Sequence, residues 1–260
     1  MTEHSPMLQV SHEGHLVTLT LARAERRNAL DTACWQSLAD TCASLASDAS
    51  VRVVVLRGEG EHFCAGADIH ELRENISDAA WMKINQATIA SAMDAWANLP
   101  MPTVVAIQSS CYGGGAGLAA AADFRIVANG ARIAITPSKL GLTYRLVDCL
   151  RIVEIIGAAR ARELLMLAKE IDAVTALAWG FATEVVSPTE LDTSVATMVS
   201  RITSLSGYSA RGIKQNLLKI RQAQTQDDAE TARVFAEAFG GPDFAEGAAA
   251  FVEKRPPRFL

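Results

Sequence analysis

The stretch Ser109-Ser-Cys-Tyr-Gly-Gly-Gly-Ala-Gly-Leu118 decides the fold, because four glycines in five residues stand between an apolar run and an alanine-rich run. Thr103-Val-Val-Ala-Ile107 before it predicts a buried strand, and Leu118 to Ala122 after it continues a helix. A backbone without Cβ atoms can approach a ligand closely. Glycines that open a helix also present N–H groups at the positive end of its dipole, so this loop is suited to bind an anion or a developing oxyanion.

A second segment, Phe63-Cys-Ala-Gly-Ala-Asp-Ile-His-Glu-Leu72, follows the apolar run Val51 to Arg57, which predicts another buried strand. Asp68 and Glu71 have the spacing of a capping box, which predicts a helix that begins at Asp68 and places the N–H of Ala67 at its mouth. An ordinary capped helix is the alternative for this segment alone. The other interpretation is that the N–H groups at this helix start and at Gly114 converge on one atom.

Strands and helices alternate through the first part of the chain, which predicts an α/β layer structure. The predicted elements outside the two loops are a hairpin of 7–11 and 15–21 around Gly14, a helix capped by Asp31, a helix over 79–99, and strands over 124–128 and 133–135. From Arg145 onward the pattern is almost wholly helical, except for Thr183 to Val186. We therefore expect one domain with a helical C-terminal extension.

The composition of the chain argues against several classes of protein. The chain has 260 residues, 50% of them hydrophobic, and a formal net charge of −5, which argues against a nucleic-acid-binding surface. No uncharged apolar run reaches membrane-spanning length, and Met1 to Val10 lacks the basic and apolar regions of a secretory signal, so we expect a cytoplasmic protein without a membrane partner. Five widely spaced cysteines without a Cys-x-x-Cys pair predict reduced thiols rather than disulfides or a zinc site: Cys34, Cys42, Cys64, Cys111 and Cys149.

Other chemistries lack their motifs. The glycine loop does not continue into the Gly-Lys-Ser/Thr of a phosphate-binding loop, and Leu118 stands where a dinucleotide-binding loop has its third glycine. Neither a Gly-x-Ser-x-Gly nor a His-Glu-x-x-His motif occurs in the sequence. No metal ligands are predicted.

Taken together, the segments resemble the enoyl-CoA hydratase/isomerase (crotonase) superfamily. Phe63 to Ile69 and Gly113 to Ile126 are similar to its two signature segments, while Leu21 to Asp31 and Phe251 to Phe259 are similar to its N- and C-terminal motifs. Four weak motifs in the right order cover nearly the whole chain. The resemblance implies an α/β crotonase (ClpP-like) spiral of strand-strand-helix units, with a core domain over 1–200 and a helical trimerisation region over 201–260.

The resemblance also implies the ligand and the residues that bind it. The N–H groups of Ala67 and Gly114 would form an oxyanion hole for the thioester carbonyl of an acyl-CoA, so coenzyme A enters as part of the substrate and no separate cofactor is expected. The residues that would contact the coenzyme are Ala65, Asp68, Ile69, Arg26, Phe251 and Lys254, the last two from a neighbouring subunit of a homotrimer or a dimer of trimers. For Arg26 and Lys254, an ordinary solvated charge is the alternative.

The sequence departs from the family where hydratases carry their paired acid and base. The first glutamate falls at Gly117, and the second falls at Pro137 or Ser138, depending on the alignment. A positioned acid or base typically contributes about 10²–10⁴-fold to a rate, which puts ordinary hydratase activity in doubt. The candidate reactions are a lyase or isomerase reaction, hydration with rearranged acid and base groups, or acyl-CoA binding without catalysis.

The loop from Thr136 to Tyr144 resembles that of the methylmalonyl-CoA decarboxylase branch, in which a matching tyrosine lies near the acyl group. The match is partial, because that branch has a histidine at the position of Ala67 and a glutamate at that of Gly117. Tyr144 is therefore a catalytic candidate that would hydrogen-bond a carboxylate or protonate an enolate, and a half-buried tyrosine bonded to backbone is the alternative. Weaker candidates are His70, Ser138, Lys139 and Arg145.

Overall fold

The computed structural model describes residues 7–259, so the first six residues of the N-terminal segment and Leu260 lie outside it. In this range the strands form a six-stranded sheet in the order β1-β2-β3-β4-β6-β9 and a three-stranded sheet in the order β5-β7-β8. The strands are β1 (Leu8–Glu13), β2 (Leu16–Leu21), β3 (Val53–Gly58), β4 (Thr103–Ile107), β5 (Ser110–Tyr112), β6 (Phe124–Ala128), β7 (Arg132–Ala134), β8 (Ile171–Asp172) and β9 (Glu184–Val186).

Helices follow the strands in sequence and then dominate the C-terminal part. They are α1 (Thr32–Ala46), α2 (Ile69–Glu74), α3 (Ala79–Ala97), α4 (Gly114–Ala121), α5 (Leu146–Met166), α6 (Ala173–Trp179), α7 (Leu191–Thr203), α8 (Gly207–Arg221), α9 (Ala229–Gly240) and α10 (Pro242–Glu253). Helix α5 is interrupted at Gly157, whose φ of 76° is not helical. The predicted α/β class is confirmed.

The large sheet is parallel except for its first hairpin, in which β1 and β2 pair antiparallel around Gly14. The central strands β3 and β4 are buried on both faces, as expected for valine-rich strands of a parallel sheet covered by helices. Helices α1 and α3 pack together in the main core, which contains Trp35 and Trp96. Helix α7 packs on β3, β4 and β6 in a second, smaller apolar cluster.

Most elements predicted from the periodicity are present. The strands over 103–107 and 124–128 have the predicted bounds, and the Asp31 carboxylate caps α1 by accepting a hydrogen bond from the N–H of Cys34. The predicted strand over 133–135 is displaced by one residue. Strands β5 and β8, of three and two residues, were not predicted, because segments this short carry no periodic signal.

The C-terminal helices attach to the core through α8. The ammonium of Lys214 lies 2.6 Å from an Asp123 carboxylate oxygen and donates to the Met101 carbonyl, and Arg211 donates to the Val51 carbonyl. Burial lowers the pKa of Lys214, and the carboxylate of Asp123 opposes that change. The boundary predicted between residues 200 and 201 lies within α7, and the division into two regions stays a prediction. Over residues 7–259, no helix combines the length and apolarity needed to cross a bilayer.

Candidate active site

The two signature loops lie side by side because their backbones pair. The N–H of Tyr112 donates to the Cys64 carbonyl at 2.9 Å, and the N–H of Cys64 donates to the Ser110 carbonyl at 3.0 Å. Strand β5 therefore aligns the segment after Cys64 with the glycine loop. Four of the five cysteines are buried, and burial raises the pKa of Cys64 to about 12, so it remains a thiol within the described structure.

The glycine loop turns sharply into α4. Gly113 has φ 51° and ψ −116°, a conformation that side chains with Cβ atoms rarely adopt, and its N–H donates to the Ala134 carbonyl at 2.9 Å. Two residues on, a Cβ atom on Gly115 would lie 2.6 Å from the Cβ of Cys64. The glycines thus permit both the turn and the close contact between the two loops.

Ala67 is held beside this turn by a short parallel bridge to Leu30. The N–H of Leu30 donates to the Gly66 carbonyl at 2.8 Å, and the N–H of Asp68 donates to the Leu30 carbonyl at 2.9 Å. The N–H of Ala67 lies between these bonds and takes no part in them. The bridge therefore fixes the peptide while leaving its donor unused.

Arg23 ties this segment to the start of α1. Its guanidinium lies 2.9 Å from an Asp68 oxygen and 3.1 Å from an Asp31 oxygen, and it donates to the Ala29 carbonyl at 2.7 Å. Burial disfavours ionised Asp68, but the hydrogen bonds from Arg23 and from the N–H groups of α2 outweigh burial and hold the pKa of this carboxyl below its usual value. Arg23 stands in the predicted N-terminal motif, yet no signal in the sequence assigns it this position.

The predicted capping box is only half formed. Asp68 caps α2 through the N–H groups of His70 and Glu71, as predicted. The Glu71 carboxylate does not bond back to Asp68, because it accepts a hydrogen bond from the N–H of Thr32 at 2.9 Å. The spacing predicts the helix start correctly, but the Glu71 carboxylate accepts its hydrogen bond from the first residue of α1 and not from Asp68.

The N–H groups of Ala67 and Gly114 lie close together. A Cβ atom on Gly114 would be 3.9 Å from the Ala67 nitrogen, and one on Gly66 would be 3.3 Å from the Gly114 nitrogen. Neither N–H donates a hydrogen bond to any atom of residues 7–259. Both residues are half-buried, so a small ligand can reach the pair. Two unused donors of this kind can hold an oxygen atom that carries negative charge.

The electrostatics of α4 favour an anion at its first residue. The first turn contains no acidic side chain, and the guanidinium of Arg125 lies at the opposite end, where it donates to the carbonyls of Ala119 at 3.0 Å and Ala122 at 2.5 Å. Burial lowers the pKa of Arg125 to about 10, so it stays charged at neutral pH. A cation at the C-terminal end complements the helix dipole and leaves its positive end at Gly114.

Tyr144 reaches the glycine loop from the segment before α5. Its hydroxyl donates to the Gly113 carbonyl at 2.7 Å. Burial, reinforced by the negative charge of Asp148, raises its pKa well above the usual value, so the side chain is a neutral phenol. A Cβ atom on Gly117 would lie 2.9 Å from this hydroxyl and 3.1 Å from the methyl carbon of Met93. The Tyr144 hydroxyl therefore occupies the space into which a side chain at position 117 would project.

A cluster of ion pairs lies behind Tyr144. Arg145 pairs with Asp94 at 2.7 Å, and the buried Arg151 pairs with Asp148 at 2.6 Å and with Asp94 at 3.3 Å. Burial raises the pKa of Asp148, although the two arginines favour its charged form. Arg145 itself is the N-cap residue of α5. These carboxylates are engaged by cations, so none of them is free to act as a base.

A cleft of about 290 Å³ opens beside Tyr144. Its lining is mainly apolar and comes from the segment 135–144 and from α5: Ile135, Pro137, Ser138, Leu142, Thr143, Tyr144, Cys149, Leu165 and Met166. Two of the weaker candidates, Ser138 and Lys139, are exposed on a short 3-10 helix, and His70 is exposed on α2. Among residues 7–259, the side chains of Lys139 and His70 form no hydrogen bond with either signature loop.

The predicted coenzyme-binding residues fall into two groups. Arg26 is exposed on a 3-10 turn that precedes α1, Ala65 is half-buried with its N–H donating to the Arg27 carbonyl, and Ile69 is 47% exposed. Asp68, the fourth residue near these loops, is engaged by Arg23. Phe251 is 86% exposed, and Lys254 follows α10 in a left-handed conformation. Phe251 lines an apolar groove of about 970 Å³ formed by α8, α9, α10 and Phe259.

Trp35 is a neighbour of the site that the sequence does not reveal. Its helical spacing predicts a core residue, and it is 1% exposed. Its ring lies so close to the glycine loop that a Cβ atom on Gly114 would be 2.9 Å from its Cζ2 atom. Trp35 thus forms the wall behind Gly114, a role that no residue pattern encodes.

Comparison with known proteins places this geometry in a family. The family model described as enoyl-CoA hydratase/isomerase matches residues 11–260. The mitochondrial methylglutaconyl-CoA hydratase of Mus musculus is 30% identical over 250 residues, which cover 94% of this chain and 79% of that protein. Both comparisons span the two signature loops.

Solved structures agree with this result. An enoyl-CoA hydratase/carnithine racemase from Magnetospirillum magneticum has a TM-score of 0.92 and 30% identity, with 99% of this chain and 96% of that chain covered. An enoyl-CoA hydratase from Mycobacterium smegmatis has a TM-score of 0.87 and 31% identity, with 98% and 99% covered. The chain belongs to the enoyl-CoA hydratase/isomerase family, whose members are enzymes that process acyl-CoA thioesters. The predicted family is confirmed.

Proposed function

We propose that this enzyme binds the thioester oxygen of an acyl-CoA between the N–H groups of Ala67 and Gly114 and stabilises the enolate that forms during a lyase reaction of the decarboxylase type. One observation carries the proposal: two adjacent donors, unused by residues 7–259, lie at the positive end of α4, with no carboxylate at position 117, 137 or 138. Such donors typically contribute about 2.7–4 kcal/mol each to a transition state that develops negative oxygen.

Decarboxylation suits this set of groups, because it generates an enolate without a base. The C–C bond to the substrate carboxylate breaks, its electron pair enters the thioester enolate, and carbon dioxide leaves. A proton from water then binds at the α-carbon. Isomerisation is the weaker form of the proposal because it needs a group that removes a proton, and the carboxylate of Asp148 is paired with Arg151 at 2.6 Å.

Hydration is the second candidate, since relatives such as the murine methylglutaconyl-CoA hydratase carry that name. It would require acid and base groups other than residues 117, 137 and 138. Acyl-CoA binding without turnover is the third possibility. For all three, the acyl group would extend toward the cleft beside Tyr144, and the coenzyme would lie against Ala65, Asp68 and Ile69, with its phosphates near Arg26.

A substrate panel separates these functions. Purified protein is incubated with malonyl-CoA, methylmalonyl-CoA and crotonyl-CoA, and products are followed by chromatography of the CoA esters. We expect loss of the carboxylate from a malonyl-type ester and little hydration of crotonyl-CoA. Hydration at a rate typical of the family would contradict the proposal. Tight binding without turnover of any ester would favour the non-catalytic alternative.

Ala67→Pro tests the hole itself. Proline removes the N–H of residue 67, which has no acceptor within residues 7–259 and takes part in neither hydrogen bond of the bridge to Leu30. We expect kcat/KM to fall by about 10²–10³-fold while circular dichroism shows a folded protein. Unchanged kcat/KM would remove Ala67 from the site.

The oligomer is also part of the proposal. Phe235, Phe239 and Phe251 are 69%, 62% and 86% exposed on α9 and α10, which is an unusual exposure for phenylalanine. A homotrimer or a dimer of trimers would cover this surface and bring Phe251 and Lys254 of one subunit to the coenzyme of another. Light scattering coupled to size exclusion measures the subunit number, and a monomer that binds CoA tightly would contradict this arrangement.

A further inference from the structure

The carbonyl to which Tyr144 donates and the N–H of Gly114 belong to the same peptide unit. The Tyr144 hydroxyl lies 2.7 Å from the Gly113 oxygen, and the carbonyl carbon of Gly113 is bonded directly to the Gly114 nitrogen. Resonance in a peptide couples its oxygen and nitrogen, so a donor at the oxygen draws electron density from the nitrogen. The N–H then becomes a stronger hydrogen-bond donor.

We infer that Tyr144 is a positioning residue that polarises and orients the Gly113–Gly114 peptide and thereby strengthens the Gly114 donor for the thioester oxygen. The inference rests on the proposed function, because it concerns the same hole. This role differs from that of a catalytic acid, since the Tyr144 hydroxyl donates its proton to the backbone.

The surroundings of this peptide are arranged to keep the bond. The N–H of Gly113 donates to the Ala134 carbonyl at 2.9 Å, and the Gly113 oxygen also accepts from the N–H of Gly117 at 3.0 Å. The oxygen of the Gly113–Gly114 peptide thus has two donors, the Gly117 N–H and the Tyr144 hydroxyl, while the bond from the Gly113 N–H holds the preceding peptide. Burial keeps the phenol protonated, so the donor persists over the whole neutral pH range.

The glycine at position 117 makes this contact possible. A Cβ atom there would lie 2.9 Å from the Tyr144 hydroxyl, which is closer than such atoms approach one another in proteins. A longer side chain at 117 would therefore displace the hydroxyl from Gly113. The position that lacks the hydratase carboxylate is the position that admits the tyrosine.

Infrared spectroscopy of a bound ligand measures the strength of the hole directly. The probe is acetyl-CoA labelled with ¹³C at its thioester carbonyl, which has neither a carboxylate to lose nor a double bond to hydrate. In the wild type we expect the carbonyl stretch to shift to lower frequency on binding. In Tyr144→Phe we expect this shift to shrink by about 10–30%, the size of cooperative effects between hydrogen bonds.

The matched control is Tyr112→Phe. The Tyr112 hydroxyl donates to the Glu170 carboxylate at 3.0 Å, so this variant removes a hydroxyl from the tyrosine that precedes Gly113 without touching the Gly113 carbonyl. We expect this variant to keep the wild-type shift. Kinetics on the substrate found by the panel supply the second readout: kcat of Tyr144→Phe falls by about 2-fold to 8-fold, and KM is unchanged.

The outcomes separate the inference from the function on which it rests. No shift in the wild type would overturn the proposed hole and this assignment with it. If the wild type shows the shift and Tyr144→Phe retains it in full, the role assigned to Tyr144 is overturned while the proposed hole is not. A loss of kcat above about 100-fold with an unchanged shift would identify Tyr144 as an acid instead. Urea denaturation of each variant confirms that a smaller shift does not come from unfolded protein.

Discussion

The nitrogens of Ala67 and Gly114 lie close together, but different forces hold the two peptides. Besides its backbone bridge to Leu30, the Ala67 side depends on charge, through the ion pairs of Arg23 with Asp68 at 2.9 Å and with Asp31 at 3.1 Å. The Gly114 side depends on close contact between atoms and on neutral hydrogen bonds. The charged side should respond to pH and to the loss of one cation, whereas the packed side should respond to one added methyl group.

The largest effect is expected on the packed side, from Gly115→Ala. The new Cβ atom would lie 2.6 Å from the Cβ of Cys64 and 2.9 Å from its carbonyl oxygen, and backbone atoms cannot move aside cheaply. We expect the free energy of unfolding to fall by about 1–3 kcal/mol or more. Urea denaturation measures it. Gly240→Ala in α9 is the control, because no described atom beyond its chain neighbours and its own helix backbone lies within 4 Å of the added Cβ, and a similar loss there would contradict the packing explanation.

Arg23→Met tests the charged side. The variant keeps much of the side-chain volume but leaves the carboxylate of Asp68, which is 8% exposed, without its cation. We expect the free energy of unfolding to fall by about 2 kcal/mol, since an unpaired carboxylate in a mostly buried place is costly. The exposed Arg27, whose side chain pairs with no carboxylate among the described residues, gives the control Arg27→Met. Equal stability of the two variants would show that the ion pairs contribute nothing.

A third variant probes the contact between the packed side and Tyr144. Gly117→Ala places a Cβ atom 2.9 Å from the Tyr144 hydroxyl, and Tyr144→Phe removes that oxygen. We therefore expect Gly117→Ala to be less destabilising in the Tyr144→Phe background, with a coupling of about 1 kcal/mol. Denaturation of the two single variants and the double variant gives this number. If the losses in free energy of unfolding of the two single variants simply add in the double variant, residues 117 and 144 do not contact each other in solution.

The smallest effect is expected from pH. The folded-state pKa of Asp68 is below its usual value, so its ion pair contributes stability that is complete above the unfolded pKa of about 3.9 and is lost as the pH falls through the folded value. The stability difference between the wild type and Asp68→Asn should be constant from about pH 5 to 8 and shrink below about pH 3.9. A difference that stays constant to pH 3 would contradict the ionic account of this side.

Local features of both sides can be predicted from the sequence, whereas contacts between residues far apart in the chain cannot. Glycines, a capping aspartate and buried strands are local signals, so the loop, the start of α2 and strands β4 and β6 could be predicted from short windows. The clamp by Arg23, the ring of Trp35 behind Gly114 and the bond from Tyr144 to Gly113 join residues 31 to 79 positions apart. Only the assembled backbone brings such pairs together, and Glu71 shows how a neighbouring helix can redirect even a local motif.

The contact between Gly117 and Tyr144 also constrains how this enzyme can evolve. A substitution that places glutamate at position 117 would expel the tyrosine hydroxyl from the Gly113 carbonyl, so a lineage would lose this hydrogen bond as it gained the carboxylate. The substitutions would have to begin with a smaller residue at position 144, or with a shift of the segment before α5, and glutamate at position 117 would follow. We therefore expect the two positions to be epistatic, so that a carboxylate at position 117 requires a change at position 144 as well.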